Sequence, residues 1–173
     1  MARLALIGGG NMAEAILRGL VRSGVLRPSD MVVSDVREER LASLRRTYGV
    51  ETQPKNGEAA RDAAVVLLAV KPQVVRQALD DLVPVMSEAQ LLVSIAAGVP
   101  TGTLEKHFLP RAARVIRVMP NTPALVLQGM SALARGRHAS PEDVEAARAL
   151  FEAVGRTVVV DERLLDAVTG LSG

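Results

Sequence analysis

An α/β fold built around a doubly wound, mostly parallel sheet is what this sequence predicts, and three observations predict it. Apolar runs of strand length alternate with amphipathic helical stretches along nearly the whole chain. Two of the runs, "AAVVLLAV" and "QLLVSIAAG", are apolar on both faces, as strands are when helices cover both sides of a parallel sheet. The first strand-to-helix connection, "IGGGNMA", places three glycines where a firm joint would be the default.

The elements follow in order. "RLALIG" is a short buried strand. "NMAEAILRGLVRSG" repeats apolar residues (Met12, Ala15, Ile16, Leu20) near a 3.6-residue period and stops at Gly24, so it is a helix. "MVVSD" is the second strand, and "REERLASLRRTYG" an amphipathic helix closed by Gly49. "AAVVLLAV" is the next strand. "KPQVVRQALDDLVPVM" then reads as one helix with Pro72 in its first turn. "QLLVSIAAG" is a strand, "TGTLEKHF" a short helix, "ARVIRVMPN" a strand, and "MSALARG" one more strand or an edge strand. "SPEDVEAARALFEAVG" has Ser140 as N-cap, Pro141 at the first helical position and acids in the first turn, and should end at Gly155. "RTVVVD" is the last strand, and "ERLLDAVTGLSG" begins a helix. Residues 1–160 thus form one unit and 161–173 the start of another. The second piece is too short to bury a core, and its Leu164, Leu165, Val168 and Leu171 should form an exposed apolar stripe.

Composition narrows the function. The chain has 173 residues, 49% of them apolar, enough for one well-buried domain. A net charge of +2, scattered basic residues and 2% aromatics give little on which nucleic acid could stack. There is no cysteine, which removes thiolate catalysis and cysteine metal sites. His107 and His138 are far apart in sequence and read as surface or helix-end residues. No apolar run reaches the roughly 20 residues that span a bilayer, and the opening run lacks a leader's layout. A cytoplasmic location is the expectation.

The glycines carry the functional signal. Gly8-x-Gly10-x-x-Ala13 lies between strand and helix. Gly8 permits the tight turn, Gly10 lets a pyrophosphate approach bare backbone, and Ala13 keeps helix and strand close. Amides at the helix start and the helix dipole then hold the phosphates. This predicts a Rossmann-like dinucleotide site. The end of the second strand discriminates cofactors, because an acid there bonds the ribose hydroxyls of NAD, whereas a hydroxyl plus Arg suits the extra phosphate of NADP. "VVSDVREER" offers both signals, in Ser34 and Asp35 and then in Arg37 and Arg40. The balance favours NADP (NADPH), with NAD as the alternative. A solvated helix face pairing with Glu is the plainer reading of Arg40.

"IGGGNMAEAI", "LLAVKPQ", "SIAAGV", "RVIRVMPNTP" and "DAVTGLSG" occur in that order, and with them the whole chain resembles the pyrroline-5-carboxylate reductase family. The resemblance implies an N-terminal Rossmann-like NAD(P)H domain and a C-terminal helical domain that builds a dimer and much of the substrate pocket. It implies that Ile7, Gly8, Gly9, Gly10, Asn11, Met12 and Ala13 wrap the pyrophosphate. Ser34, with Asp35 and Arg37 beside it, would meet the adenosine ribose or its phosphate, and Asn56 would lie near the adenosine end. Ala69, Val70, Lys71 and Pro72 would follow the cofactor, Ala96, Ala97 and Gly98 would lie near the nicotinamide, and Asn121 would sit beside the active-site mouth. The plainer readings are a solvated charge at Lys71, a strand-to-helix turn at Gly98 and a turn cap at Asn121. The implied reaction reduces 1-pyrroline-5-carboxylate to L-proline, the last step of proline biosynthesis, in a homo-oligomer that is a dimer or a multiple of dimers when full length.

The family continues past "TGLSG" into a glycine-serine stretch and a Thr- and Gly-containing substrate loop, whereas this sequence closes at Gly173. A cofactor domain without most of its substrate domain is therefore expected. No catalytic residue is assigned. Asp166, the nearest acid, reads as a helix-surface charge. The competing expectations are a non-catalytic dinucleotide-binding module, and a related oxidoreductase of the β-hydroxyacid or F420-dependent type that should lack "MPNTP" followed by "DAVTGLSG".

Overall fold

A computed structural model describes residues 3–172, with side chains through residue 170. Its elements are β1 (Leu4–Ile7), α1 (Asn11–Ser23), β2 (Met31–Ser34), α2 (Glu38–Tyr48), β3 (Glu51–Gln53), α3 (Asn56–Ala60), β4 (Val65–Leu68) and α4 (Val75–Leu82). They continue with β5 (Leu91–Ser94), α5 (Thr101–His107), β6 (Arg114–Pro120), β7 (Gly129–Arg135), α6 (Pro141–Glu152), β8 (Gly155–Val159) and α7 (Leu165–Ser172). Among the described residues the strands form one eight-stranded sheet in the order β3-β2-β1-β4-β5-β6-β7-β8. The pairs are parallel except β6–β7, which is antiparallel. This is the doubly wound, Rossmann-like α/β fold, and chain order reverses between β1 and β4, where such sheets open a crevice at their carboxyl edge.

Strand alternation sorts the core into two layers. Leu4, Leu6 and Val33 face Ile16, Leu20 and Leu44 of α1 and α2, and the same layer runs on to Phe151 of α6. Ala5, Ile7, Val66 and Leu68 face Leu79 and Leu82 of α4, and the layer ends at Leu104 of α5. All four residues of β4 from Val65 to Leu68 are apolar because helices cover both of its faces. Ser140 caps α6 as read, its hydroxyl accepting from the Asp143 N–H in a reciprocal capping box.

Four readings need correction. The stretch after β4 is not one helix. It opens as a 3-10 turn at Pro72–Val74, and α4 stops at Leu82, since Pro84 has no N–H to offer the Asp80 carbonyl. Gly155 does not end α6 but opens β8, with the helix already finished at Glu152. β7 is interior, and β8 is the edge. Only residues 121–128 join β6 to β7, too few for the crossover a parallel pair requires, so the pair is antiparallel. The stripe on the last helix is only partly exposed. Leu165 is fully buried against Ala132 and Ala134 of β7, with Val168 packed beside it, while Leu164 remains exposed; the Leu171 side chain lies outside the described residues. β3 and α3 escaped the sequence reading because "ETQ" and "NGEAA" are too short for an apolar period, and only Thr52 of β3 is buried.

Candidate functional site

The three glycines have different tasks. Gly8 has φ +95°, its N–H donates to the Ser34 carbonyl at 2.8 Å, and an added Cβ would lie 2.8 Å from the Ala69 carbonyl oxygen. Left-handed backbone and contact with a neighbouring strand both demand glycine there. The Gly9 N–H donates to Asp35 Oδ2 at 2.9 Å, and its carbonyl accepts from Arg40 Nε at 2.5 Å. Gly10 differs. It is the N-cap of α1 with an ordinary φ of −67°, no side chain caps the helix, and an added Cβ would meet no protein atom within 4 Å. Neither conformation nor internal packing calls for glycine at position 10. What its bareness leaves is an open approach to the unpaired first-turn amides of a 13-residue helix, a ready anion site. Ile7 ends β1 in the core, Asn11 is exposed, Met12 half-buried, and Ala13 is buried where α1 meets the sheet.

The end of β2 is polar and internally wired. Burial alone would push the Asp35 carboxyl up, but hydrogen bonds from Arg37 and from the Gly9 N–H outweigh it and hold the group below the usual carboxylate range. Arg37 grips that carboxylate with two bonds, at 2.9 and 3.1 Å, while its own side chain stays 63% exposed. Arg40 is neither a solvated charge nor a partner of Arg37. It reaches across to Glu14 Oε2 at 2.5 Å as well as to Gly9, and Tyr48 donates to the other Glu14 oxygen at 2.8 Å. The Glu14 carboxyl is raised by burial and lowered by Arg40 and Tyr48, with a net shift downward. α2 thus braces the glycine loop from outside through Arg40, while Arg37 stays exposed and tied to Asp35.

Ser34 is fully buried, and its hydroxyl donates to Asn56 Oδ1 at 2.8 Å; Asn56 Nδ2 donates in turn to Asp81 Oδ2 at 3.0 Å. This chain links β2, α3 and α4, and its Asn56 and Asp81 line a cavity of about 510 Å³ that also touches Gly8, Asp35 and Val70, with Ser34 buried behind them. The sequence reading missed Lys55, Glu58, Arg61, Gln77 and Asp81, which line the same cavity. Recognising β3 would have put residues 54–57 at the sheet's carboxyl edge and exposed them as candidates.

The remaining candidates lie along the same edge but outside that cavity. Ala69 donates its N–H to the Ile7 carbonyl at 2.8 Å, Lys71 is exposed, and Pro72 opens the 3-10 turn. Ala96 is buried and Ala97 half-buried after β5, with Gly98 at φ +70° in open space. Asn121 follows β6, and its Oδ1 accepts from the Met130 N–H at 2.8 Å, so it holds a turn. Asp166 is engaged by Arg117 at 2.6 Å. His107 closes α5 and His138 is exposed. Among the described residues no cluster of three or more potential metal ligands occurs, and no helix is long and apolar enough to cross a membrane.

Comparison with known proteins agrees with this geometry. The chain is 41% identical over 171 residues, 99% of its length, to pyrroline-5-carboxylate reductase of Methanosarcina acetivorans. A pyrroline-5-carboxylate reductase structure from Coxiella burnetii superposes with a TM-score of 0.94 at 34% identity, covering 99% of this chain and 64% of that one. The Plasmodium falciparum pyrroline carboxylate reductase with NADP bound superposes at 0.88 with 24% identity, over 99% of this chain and 62% of that one, a likeness of fold. The chain spans 60–63% of the length of the curated relatives it matches. A family model described as NADP oxidoreductase, coenzyme F420-dependent, matches residues 3–98, from the start of β1 through the Ala96–Gly98 loop, and stops short of "MPNTP" and "DAVTGLSG". With more than half of its length on that model, the chain belongs to this NADP oxidoreductase family.

Proposed function

We propose that this chain binds NADP(H) along the carboxyl edge of its sheet. We propose further that, in the whole protein, it serves the NAD(P)H-dependent reduction of 1-pyrroline-5-carboxylate to L-proline. The observation that carries the reading is Gly10, a helix cap kept bare although, among the described residues, no atom beyond its chain neighbours comes within 4 Å of where a Cβ would stand. The residues present fit a dinucleotide. The amides of Gly10, Asn11 and Met12 would take the pyrophosphate. Asp35 and Arg37 would meet the adenosine ribose and its 2′-phosphate, with Asn56 beside them. Ala69–Pro72 would follow the strand turn, and Ala96–Gly98, with at most a methyl group each, would let a flat ring lie against backbone. The nicotinamide supplies the hydride when bound. The chain's own part is to orient and to hold. The crevice fixes the ring's distance from the substrate side, and that orientation is a large share of what a protein adds to such a transfer. Proton delivery to the imine nitrogen is assigned to no residue of this chain; Asp166, the acidic candidate on the last helix, is held by Arg117. A dimeric assembly in the cytoplasm belongs to the same reading and rests on the family resemblance alone.

Titrating the chain with NADPH and following its fluorescence tests the proposal. Saturable binding at micromolar concentrations is expected, and no saturation would refute it. Adding pyrroline-5-carboxylate then separates cofactor binding from turnover. Oxidation at an ordinary enzymatic rate would place the complete reaction in these residues, whereas binding without oxidation would leave this chain as the cofactor half.

A further inference from the structure

Arg117 lies in the middle of β6 with its side chain only 3% exposed, and register places it directly across from Ser94, the last residue of β5. A guanidinium buried inside a sheet is costly unless it is paired, and an apolar residue of similar size would do the packing more cheaply. Arg117 is paired with two acids of one segment, Asp166 of α7 at 2.6 Å and Glu162 in the turn before α7 at 3.6 Å. Glu162 in turn accepts from both the N–H and the hydroxyl of Thr101, each at 2.7 Å. Thr101 is the first residue of α5, and the N-cap before it, Pro100, supplies no side-chain cap. The helix that leaves the Ala96–Gly98 loop is therefore capped by a carboxylate 61 residues further along the chain.

A local Ser or Asp would satisfy those amides equally well. What the distant carboxylate adds is a tie. The loop after β5 and the lead-in to α7 are bolted to a single buried cation on β6. In a crevice whose adenosine end is fixed by Asp35, the other end of a dinucleotide falls toward β4 and β5, onto this loop.

We propose that Glu162 is a positioning residue for the nicotinamide ring. Through Thr101 it sets the 95–100 loop, and Arg117 holds it in register with α7. This rests on the dinucleotide reading above.

The test uses two probes on the full chain, adenosine 2′,5′-bisphosphate, which occupies only the adenosine end, and NADPH, whose fluorescence reports the ring's surroundings. Glu162→Ala removes two charge-assisted bonds to Thr101. It should weaken NADPH about ten-fold and abolish the fluorescence change, with affinity for the bisphosphate unaltered. Glu162→Gln keeps an acceptor for the Thr101 N–H and should recover most of the loss, which a mere loss of folding stability would not do. Should Glu162→Ala not fold, Thr101→Val, which keeps the backbone bond and loses the hydroxyl, should show the same split at about three-fold. Equal weakening of both probes, or NADPH binding that ignores these changes, overturns the proposal while leaving the dinucleotide reading in place. A wild-type chain that binds neither probe overturns both.

Discussion

At the β1–β2–β3 end of the carboxyl edge, polar side chains converge on a cavity; at the β5–β6 end they turn away from it. Asp35, Asn56 and Asp81 all line the first region and are hydrogen-bonded to one another's neighbours, so their rotamers are set before any ligand arrives. Arg117, Glu162 and Thr101 belong to the second region and spend their bonds on joining β6, α5 and the segment before α7. The difference teaches how one sheet edge serves two needs. A charged nucleotide end requires preplaced donors and acceptors. A flat ring requires small residues at a fixed height, with the polar groups kept behind them as supports.

The bluntest break lies just beyond the second region, in the β7–β8 pair that flanks it, and is Gly155→Ala. With φ +155°, an added Cβ would stand 2.0 Å from the Gly129 carbonyl oxygen, inside the β7–β8 pair. Backbone overlap that cannot be relieved by a rotamer change should cost more than about 3 kcal/mol. A chain this size should then lose on the order of 10 °C or more in thermal denaturation. A melt within two or three degrees of wild type would contradict the packing described for the β7–β8 edge.

Gly10→Ala tests the first region in the opposite sense. The new methyl group meets no protein atom and the backbone angle is ordinary, so the melt should stay within about 2 °C and could rise, as helix-compatible Gly→Ala changes do. NADPH affinity should fall on the order of 10- to 100-fold, since the methyl group occupies the phosphates' approach. Unchanged affinity would return Gly10 to an ordinary turn. Gly8 offers no such separation, because its Cβ clashes with Ala69 and any substitution would disturb fold and binding together.

That contrast also explains how much was legible in sequence. The strand-helix alternation, the two-sided apolar strands and the glycine loop are local signals that survive in one dimension, and from them came the sheet, its carboxyl edge and the candidates at the glycine loop and the end of β2; Asn56, residues 69–72 and 96–98, and Asn121 came from the family resemblance. The wiring behind those candidates was not legible. Arg40 reads as a helix-surface charge until α2 is docked beside α1, which lets it reach Gly9 and Glu14, 31 and 26 residues away. Asp166 is the surface acid it reads as, 70% exposed, but its pairing with the buried Arg117 that β6 sets against it leaves no mark in the sequence. β3 carries too few residues to set a period, and the cavity wall that follows it was lost with it. Partners chosen by tertiary docking leave no spacing rule behind.

Arg37→Glu sharpens the chemistry of the first region. Arg37 is largely exposed and held by Asp35 alone, so it can swing to a 2′-phosphate at small cost. Reversing its charge should weaken NADPH by about ten-fold or more relative to NADH, the scale of one charge-assisted phosphate contact. Competition binding with the two reduced cofactors reads the ratio directly. An equal loss for both would remove Arg37 from phosphate recognition and leave the ribose to Asp35.

The smallest expected effect concerns the same carboxylate. Asp35 has its pKa lowered in the folded chain from an ordinary value of 3.8, because Arg37 and the Gly9 N–H outweigh the cost of burial. A lowered folded pKa means that the stabilisation is present above the unfolded value and is lost as pH falls through the folded one. Asp35→Asn should therefore lower the melting temperature at neutral pH, by an amount set by one partly exposed ion pair and under about 1 kcal/mol. The gap between wild type and variant should begin to shrink below about pH 4, where Asp35 of the unfolded chain protonates, and close as pH falls through the lower folded value. The glycine loop should feel the change more than the fold does, since Gly9 loses the charge that accepts its N–H. Amide exchange at Gly9 should quicken in the variant at pH 7 and match wild type in acid. A gap that persists unchanged down to pH 2.5 would mean that Asp35 steadies the loop through shape alone, and its charge would then be reserved for a ligand.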